Sequence, residues 1–195
     1  NRHWDRNNWK STSWKGDPFQ EDISIPETYR TKLVDYKNTG YDRGHICPSA
    51  DRVNSKDANE QTFYLSNMQP QIHEFNVGVW ESMEDQLRNT WNTSKYRDVL
   101  YVCKGGTIDN NSQILGYTNN KYATGTYNKL LVPKYFFAAI LAVKNGKYKA
   151  IGLWFEHKKN SDKDLSNYVV SIDELEKLTG IDFFCNLPDS IENKV

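Results

Sequence analysis

Apolar and polar positions alternate differently on the two sides of about residue 92. Before it, short apolar runs are separated by turn-forming clusters; after it, longer β-type runs dominate. Residues 41–46 (YDRGHI) read as a short strand, preceded by the turn cluster Asn38-Thr39-Gly40 and ended by Pro48. Residues 29–36 read as a short helix or turn, 50–61 as polar loop, and 62–66 (TFYLS) as a second strand. Residues 76–91 read as a helix with Asn76 at its N-cap. Further on, 98–103 is a strand expected to end in a turn at Gly105-Gly106. Residues 130–132, 135–143 and 148–155 are strands, the last two joined by the turn Asn145-Gly146. Ser171 and Glu174 form a capping box for a short helix that stops at Gly180, and 181–184 is a last strand or extended piece. No repeat, low-complexity tract or linker divides the chain. The expectation is one domain over residues 1–195, of the α+β class.

The helix at 76–91 carries the most informative pattern. At about 100° per residue, with Asn76 at zero, Trp80, Met83, Leu87 and Trp91 fall in one sector between about −20° and 60°. Glu81, Ser82, Asp85 and Asn89 fall opposite, towards solvent. Glu84 lies on the apolar border near ~80° and Arg88 near ~120°. A carboxylate on that border, one turn from a guanidinium, has two readings. One is an ion pair plus a helix cap, together worth about 1 kcal/mol or slightly more. The other is a functional site.

Composition narrows the classes. The chain has 195 residues, with 25 Lys plus Arg against 25 Asp plus Glu and a formal net charge of zero. A protein held on nucleic acid by a global positive field is thereby disfavoured, although a local basic surface is not. Cys47, Cys103 and Cys185 are far apart and form no C-x-x-C pair, so a structural zinc site is not expected, and one disulfide or none fits equally. No run of about eighteen apolar residues exists to span a membrane. Residues 1–15 are polar and Trp-rich, unlike a signal peptide. There Trp4, Trp9 and Trp14 alternate with Arg2, Arg6, Lys10 and Lys15, either as an irregular segment packed on the domain or as a basic, aromatic edge that touches phosphate.

His45, beside Asp42-Arg43-Gly44, is a candidate general base because its ordinary pKa lies near neutrality. His3, His73 and His157 have no matching constellation and are expected to be solvent-facing or structural. Three segments, YDRGHICPSADR (41–52), TFYLSNMQPQ (62–71) and NVGVWESMEDQLR (76–88), resemble the DNA/RNA non-specific endonucleases of the ββα-metal superfamily. That family includes secreted bacterial nucleases and mitochondrial endonuclease G. VSIDELEKLTGIDFFCNLP (170–188) resembles its closing helix and strand.

The resemblance implies a fold, a chemistry and roles. The fold would be α+β, a ββα-metal (His-Me finger) nuclease with a central, mostly antiparallel sheet flanked by helices. His45 would take a proton from the attacking water. Asn76 would be the direct protein ligand of one Mg²⁺, with Mn²⁺ able to substitute, and Glu84 would hold waters bound to that ion. Arg43 and Arg88 would neutralise the scissile phosphate, Asn67 would fix the strand and orient the histidine, and Lys10 would match a further phosphate contact. Substrates would be DNA and RNA, cut with little regard to sugar or sequence to leave 5′-phosphates. A protein inhibitor and a secreted or cell-surface bacterial location would fit the same family. Two other readings stand beside it: a catalytically silent, nuclease-like binding module, and a phosphodiesterase limited to small nucleotides.

Overall fold

An apolar face on residues 73–91 and two ten-residue strands set most of the architecture. The computed structural model describes residues 17–119 and 129–187, so Lys10, His3 and the tryptophan repeat lie outside the described residues. The described chain groups into two compact units. The first comprises residues up to 71 together with 115–132, and the second comprises 72–114 with 133 onwards.

In the first unit, helix α1 (Leu33–Tyr36) leads through the expected turn, with Asn38 at φ 57° and Gly40 at φ 81°, into strand β1 (Asp42–His45). Strand β2 (Met68–Gln71) pairs with β1 antiparallel, Gly44 opposite Gln69 and His45 opposite Met68. Residues 62–66 are not the expected strand. They form a turn and a 3-10 turn, Leu65–Asn67, and β2 begins only at Met68. The run is apolar because it lines a core, Phe63 and Leu65 being 7% and 1% exposed, and not because it is pleated. Its backbone is satisfied elsewhere: Gln20 N–H donates to Phe63 O and Leu65 N–H to Gln20 O. Residues 50–61 contain a helix that was not expected, α2 (Lys56–Gln61). Its signal is a cap, Ser55 Oγ accepting from Ala58 N–H at 3.2 Å, and the one fully buried side chain in the helix is the polar Asn59. A helix without an apolar face leaves no hydrophobic period to read.

The second unit contains helix α3, residues 73–91, assembled from contiguous pieces (His73–Phe75, Asn76–Trp80, Glu81–Gln86 and Leu87–Trp91) and kinked at Gly78, whose φ/ψ of −103°/−112° is non-helical. Beside it runs an antiparallel sheet ordered β3-β6-β7-β8, from β3 (Val99–Gly106), β6 (Tyr135–Lys144), β7 (Lys147–Glu156) and β8 (Val169–Val170). Strands β4 (Ile114–Tyr117) and β5 (Leu131–Pro133) make a separate two-stranded ladder. The expected turn at Gly105-Gly106 is absent: both glycines continue β3, opposite Phe137 and Phe136. A Cβ at Gly105 would press on the Phe137 ring, so the residue is there for close packing. The Asn145-Gly146 turn is as expected, both residues having positive φ as a two-residue hairpin requires.

Antiparallel register puts Phe136, Ala138 and Ile140 on one face of β6 and Phe137 and Ala139 on the other. Phe75 and Trp80 of α3 pack on the first face against Phe136 and Phe155. Helix α4 (Ile172–Thr179) covers the second, Ile172 and Leu175 joining Phe137, Ala139 and Phe183. Ser171 Oγ accepts from Glu174 N–H and Gly180 closes α4 at φ 69°, both as the sequence indicates. Residues 181–184 are no strand; they enter a turn that seats Phe183 on Phe137. Helices on both faces of an antiparallel sheet make this an α+β protein.

Candidate active site

Six residues expected to act are all described, three in each unit. In the first unit, His45 ends β1 with its ring in a three-ring cluster, 5.5 Å from Phe19 and 5.3 Å from Phe63, the latter edge-on, while the two phenylalanines lie 5.5 Å from each other. Arg43, two residues back and so on the same face of the strand, lays its guanidinium 3.9 Å over the Phe19 ring and pairs with Asp17 at 2.7 Å. Asn67 binds the backbone just past the histidine from both sides: its Oδ1 accepts from Cys47 N–H at 2.9 Å and its Nδ2 donates to Cys47 O at 2.8 Å. Nδ2 also reaches Thr62 O at 2.9 Å. One carboxamide thus ties the end of β1 to the turn before β2.

Gly44 has a steric reason. The Gln71 side chain lies across it, and a Cβ added there would fall inside the Gln71 carboxamide. Gln71 is 0% exposed, and neither polar atom of its side chain has a hydrogen-bond partner among the described residues. Sequence reasoning missed this residue, although it stands at the end of the TFYLSNMQPQ segment.

In the second unit, Asn76, Glu84 and Arg88 share α3. The helix begins one turn earlier than expected, so Asn76 is not its N-cap. Ile72 holds that position, and Asn76 is helical at φ −58°, ψ −53° with its N–H on Ile72 O. The earlier start depends on His157. Its Nε2 accepts from Ile72 N–H at 2.8 Å while its Nδ1 lies 2.8 Å from Pro133 O. A carbonyl can only accept, so Nδ1 carries the proton and the ring is neutral. Burial pushes the His157 pKa below its ordinary 6.5. The expectation of a solvent-facing or structural histidine resolves to a structural one, 5% exposed.

Trp80, Met83 and Leu87 are buried and Glu81, Asp85 and Asn89 exposed, as the helical spacing indicates. Glu84, on the border, has a partner that the sequence did not reveal. Lys104 Nζ lies 2.8 Å from Glu84 Oε1, with the two side chains 7% and 12% exposed. The same ammonium stands 5.3 Å over the Trp80 ring. Lys104 pairs with Ala138 across the sheet, which puts it on the face that α3 covers. Arg88 pairs with Asp85 at 2.9 Å across one helical turn.

Asn76 offers a carboxamide oxygen and Glu84 a carboxylate, hard donors of the kind a divalent cation takes. Among the described residues no group of three or more His, Cys, Asp or Glu could hold a metal. All three cysteines are free thiols. Among the described residues no helix is long and apolar enough to cross a membrane.

Residues 1–190 match the family described as DNA/RNA non-specific endonuclease. Among known proteins, the chain is 37% identical over 187 residues to a mitochondrial nuclease of Saccharomyces cerevisiae, covering 88% of this chain and 54% of that protein. It is 35% identical over 181 residues to a nuclease of Syncephalastrum racemosum, covering 88% and 56%. The chain thus spans about half the length of these relatives. Among solved structures, an EndoG/EndoGI complex described for the mechanism of EndoG inhibition superposes with a TM-score of 0.74 at 27% identity, covering 96% of this chain and 74% of that one.

Proposed function

We propose a mechanism from the premise that the chain belongs to the DNA/RNA non-specific endonuclease family: it is a Mg²⁺-dependent enzyme that hydrolyses phosphodiester bonds of DNA and RNA, the two units acting as one nuclease domain. Asn76 would hold the ion through its carboxamide oxygen, Glu84 would assist from the same helix, and Mn²⁺ would substitute. The metal, when bound, offsets negative charge that develops on the phosphate and on the leaving oxygen. His45 removes a proton from the attacking water, which an imidazole does in its neutral form. Arg43 and Arg88 neutralise the phosphate oxygens. Attack on the phosphorus with departure of the 3′ oxygen leaves a 5′-phosphate. Groups that read only phosphate carry no sequence code and accept either sugar.

What supports this reading most is the fixing of His45. The imidazole packs in one cluster with the Phe19 and Phe63 rings, and Asn67 ties down the backbone two residues on. A base that must meet a water at one angle gains from such restraint. The yeast relative's name carries a mitochondrial location, whereas the sequence resemblance pointed to secretion or the cell surface; immunolocalisation in the source cell separates the two. A protein inhibitor is a fitting partner, as one is for EndoG in the superposed complex.

Plasmid cleavage tests the proposal. The wild-type protein converts supercoiled plasmid and single-stranded RNA to fragments in Mg²⁺ and stops in EDTA. His45→Ala loses at least ~100-fold in rate, the usual worth of a general base, while remaining folded at the assay temperature. Full activity in that variant removes His45 from the mechanism. An intact plasmid that the wild type nonetheless retards in a gel supports the silent binding module. Hydrolysis of small phosphodiesters alone supports the nucleotide-limited enzyme.

A further inference from the structure

The second unit has a cleft of about 600 Å³ at the hairpin end of its sheet, lined by side chains that the proposed chemistry does not use. Its floor is apolar: Leu100 of β3, Ile140 of β6 and Ile151 of β7. These share one face by register, Leu100 opposite Ala142 and Ile140 opposite Ile151. Its walls are aromatic, Trp91 at the last turn of α3 and Tyr96 just beyond, the latter 42% exposed. Its rim is basic, with Lys95, Lys144, Lys147 and Lys149. Lys144 is neutralised by Asp98 at 2.7 Å, and Lys95 Nζ sits 4.9 Å over the Tyr96 ring. Among the described residues no carboxylate pairs with Lys95, Lys147 or Lys149. In a chain of zero net charge, three such ammoniums around flat rings form a local excess of positive charge.

We infer that this cleft is a second contact for the substrate, binding a single-stranded stretch of nucleic acid with bases against Trp91 and Tyr96 and phosphates on Lys95, Lys147 and Lys149. The inference rests on the nuclease reading of the chain. Lys147 and Lys149 alternate on one strand face, which sets them roughly 7 Å apart, a spacing that suits successive phosphates of an extended strand. Aromatic walls stack any base, and the lysines recognise only charge, so the contact is sequence-tolerant. An acyl chain with one acidic head would suit the floor, but it would engage one ammonium and leave the others repelling one another. A polyanion with planar rings engages all three. Trp91 lies fifteen residues beyond Asn76 on the same helix, ~22 Å away along its axis. A strand bridging both points is several nucleotides long, and the cleft would hold substrate beyond the cut bond.

Fluorescence anisotropy tests the cleft apart from cleavage. His45→Ala protein in EDTA is titrated into fluorescein-labelled oligothymidylate of twelve nucleotides, with and without the exposed pair Lys147→Glu/Lys149→Glu. The pair is expected to weaken binding tenfold or more and, if two single-strand phosphate contacts are lost, to lower the slope of log K against log salt by about 1.4. Tyr96→Ala is expected to weaken binding several-fold with little change in that slope. Equal affinities and equal slopes in all three proteins overturn the inference. So does displacement of a bound dodecanoate probe by the lysine changes with oligonucleotide binding unmoved, which assigns the cleft to an acyl ligand. A wild-type protein that cuts plasmid while the oligonucleotide ignores the cleft retains the nuclease reading and loses this one. Lysine-dependent binding by a protein that cuts nothing does the reverse.

Discussion

Removing one member of a buried ion pair costs more than the pair contributes, because the survivor keeps its charge without its partner. Lys104 and Glu84 are such a pair, both nearly enclosed between α3 and β3. Lys104→Met is expected to destabilise by about 3 kcal/mol. For a domain of this size that lowers the melting temperature by roughly 10 °C. Lys104→Met/Glu84→Gln removes both charges and is expected to recover more than half of that loss, which thermal melts of the three proteins read directly. Additive effects of the two changes would mean that the pair is not coupled. In the nuclease reading, Glu84 also holds the waters of the ion, so Glu84→Ala is expected to raise the Mg²⁺ concentration for half-maximal cleavage several-fold. An unchanged metal titration removes it from that role. The sequence marked Glu84 as anomalous from its place on the apolar border, and that signal was physical. It could not mark Lys104, because a lysine between Cys103 and Gly105 reads as an ordinary outward residue until the register opposite Ala138 turns it under the helix.

At the scale of elements, legibility follows the range of the interactions that fix each one. Helix α4 and the β6–β7 hairpin were readable because Ser171, Gly180 and Asn145-Gly146 act within a few residues of themselves. The start of α3 was not. Its first N–H is answered by a histidine 85 residues away, and no local pattern announces that. Residues 62–66 misled because β-branched and aromatic residues suit a buried turn as well as a strand. Strand β1 was readable in place but not in cause, since its glycine is required by a side chain of β2. Gly44→Ala is therefore expected to destabilise by about 1–3 kcal/mol, the usual range for overpacking, and, on the nuclease reading, to reduce cleavage because the shifted residue adjoins His45. Adding Gln71→Ala removes the obstructing carboxamide and is expected to restore much of both. If Gly44→Ala alone melts and cuts like the wild type, the packing of Gln71 is not what selects glycine.

For the molecule as a whole, the side chains whose ordinary pKa falls between pH 5.5 and pH 7 are its four histidines. His157 is one of them. Its ring bridges the first turn of α3 and the end of β5, and it does so only as the neutral tautomer, accepting at Nε2 and protonated at Nδ1. Burial lowers its folded pKa below 6.5, the ordinary value that the unfolded chain retains. Between those two values the unfolded state binds more protons, so stability rises with pH across the window. The contribution is complete above about pH 6.5 and is lost as pH falls towards the folded value. Melting temperature is accordingly expected to drop between pH 7 and pH 5.5. In His157→Gln, less stable at neutral pH, the drop over the same interval should be distinctly shallower. An equal pH dependence in both proteins would assign the acid sensitivity to carboxylates instead. If the histidine is responsible, protonation releases Ile72 and frays the turn that carries Asn76, so on the nuclease reading apparent Mg²⁺ affinity and stability are expected to decline together in the wild type. In the variant, metal affinity should change less over this pH range.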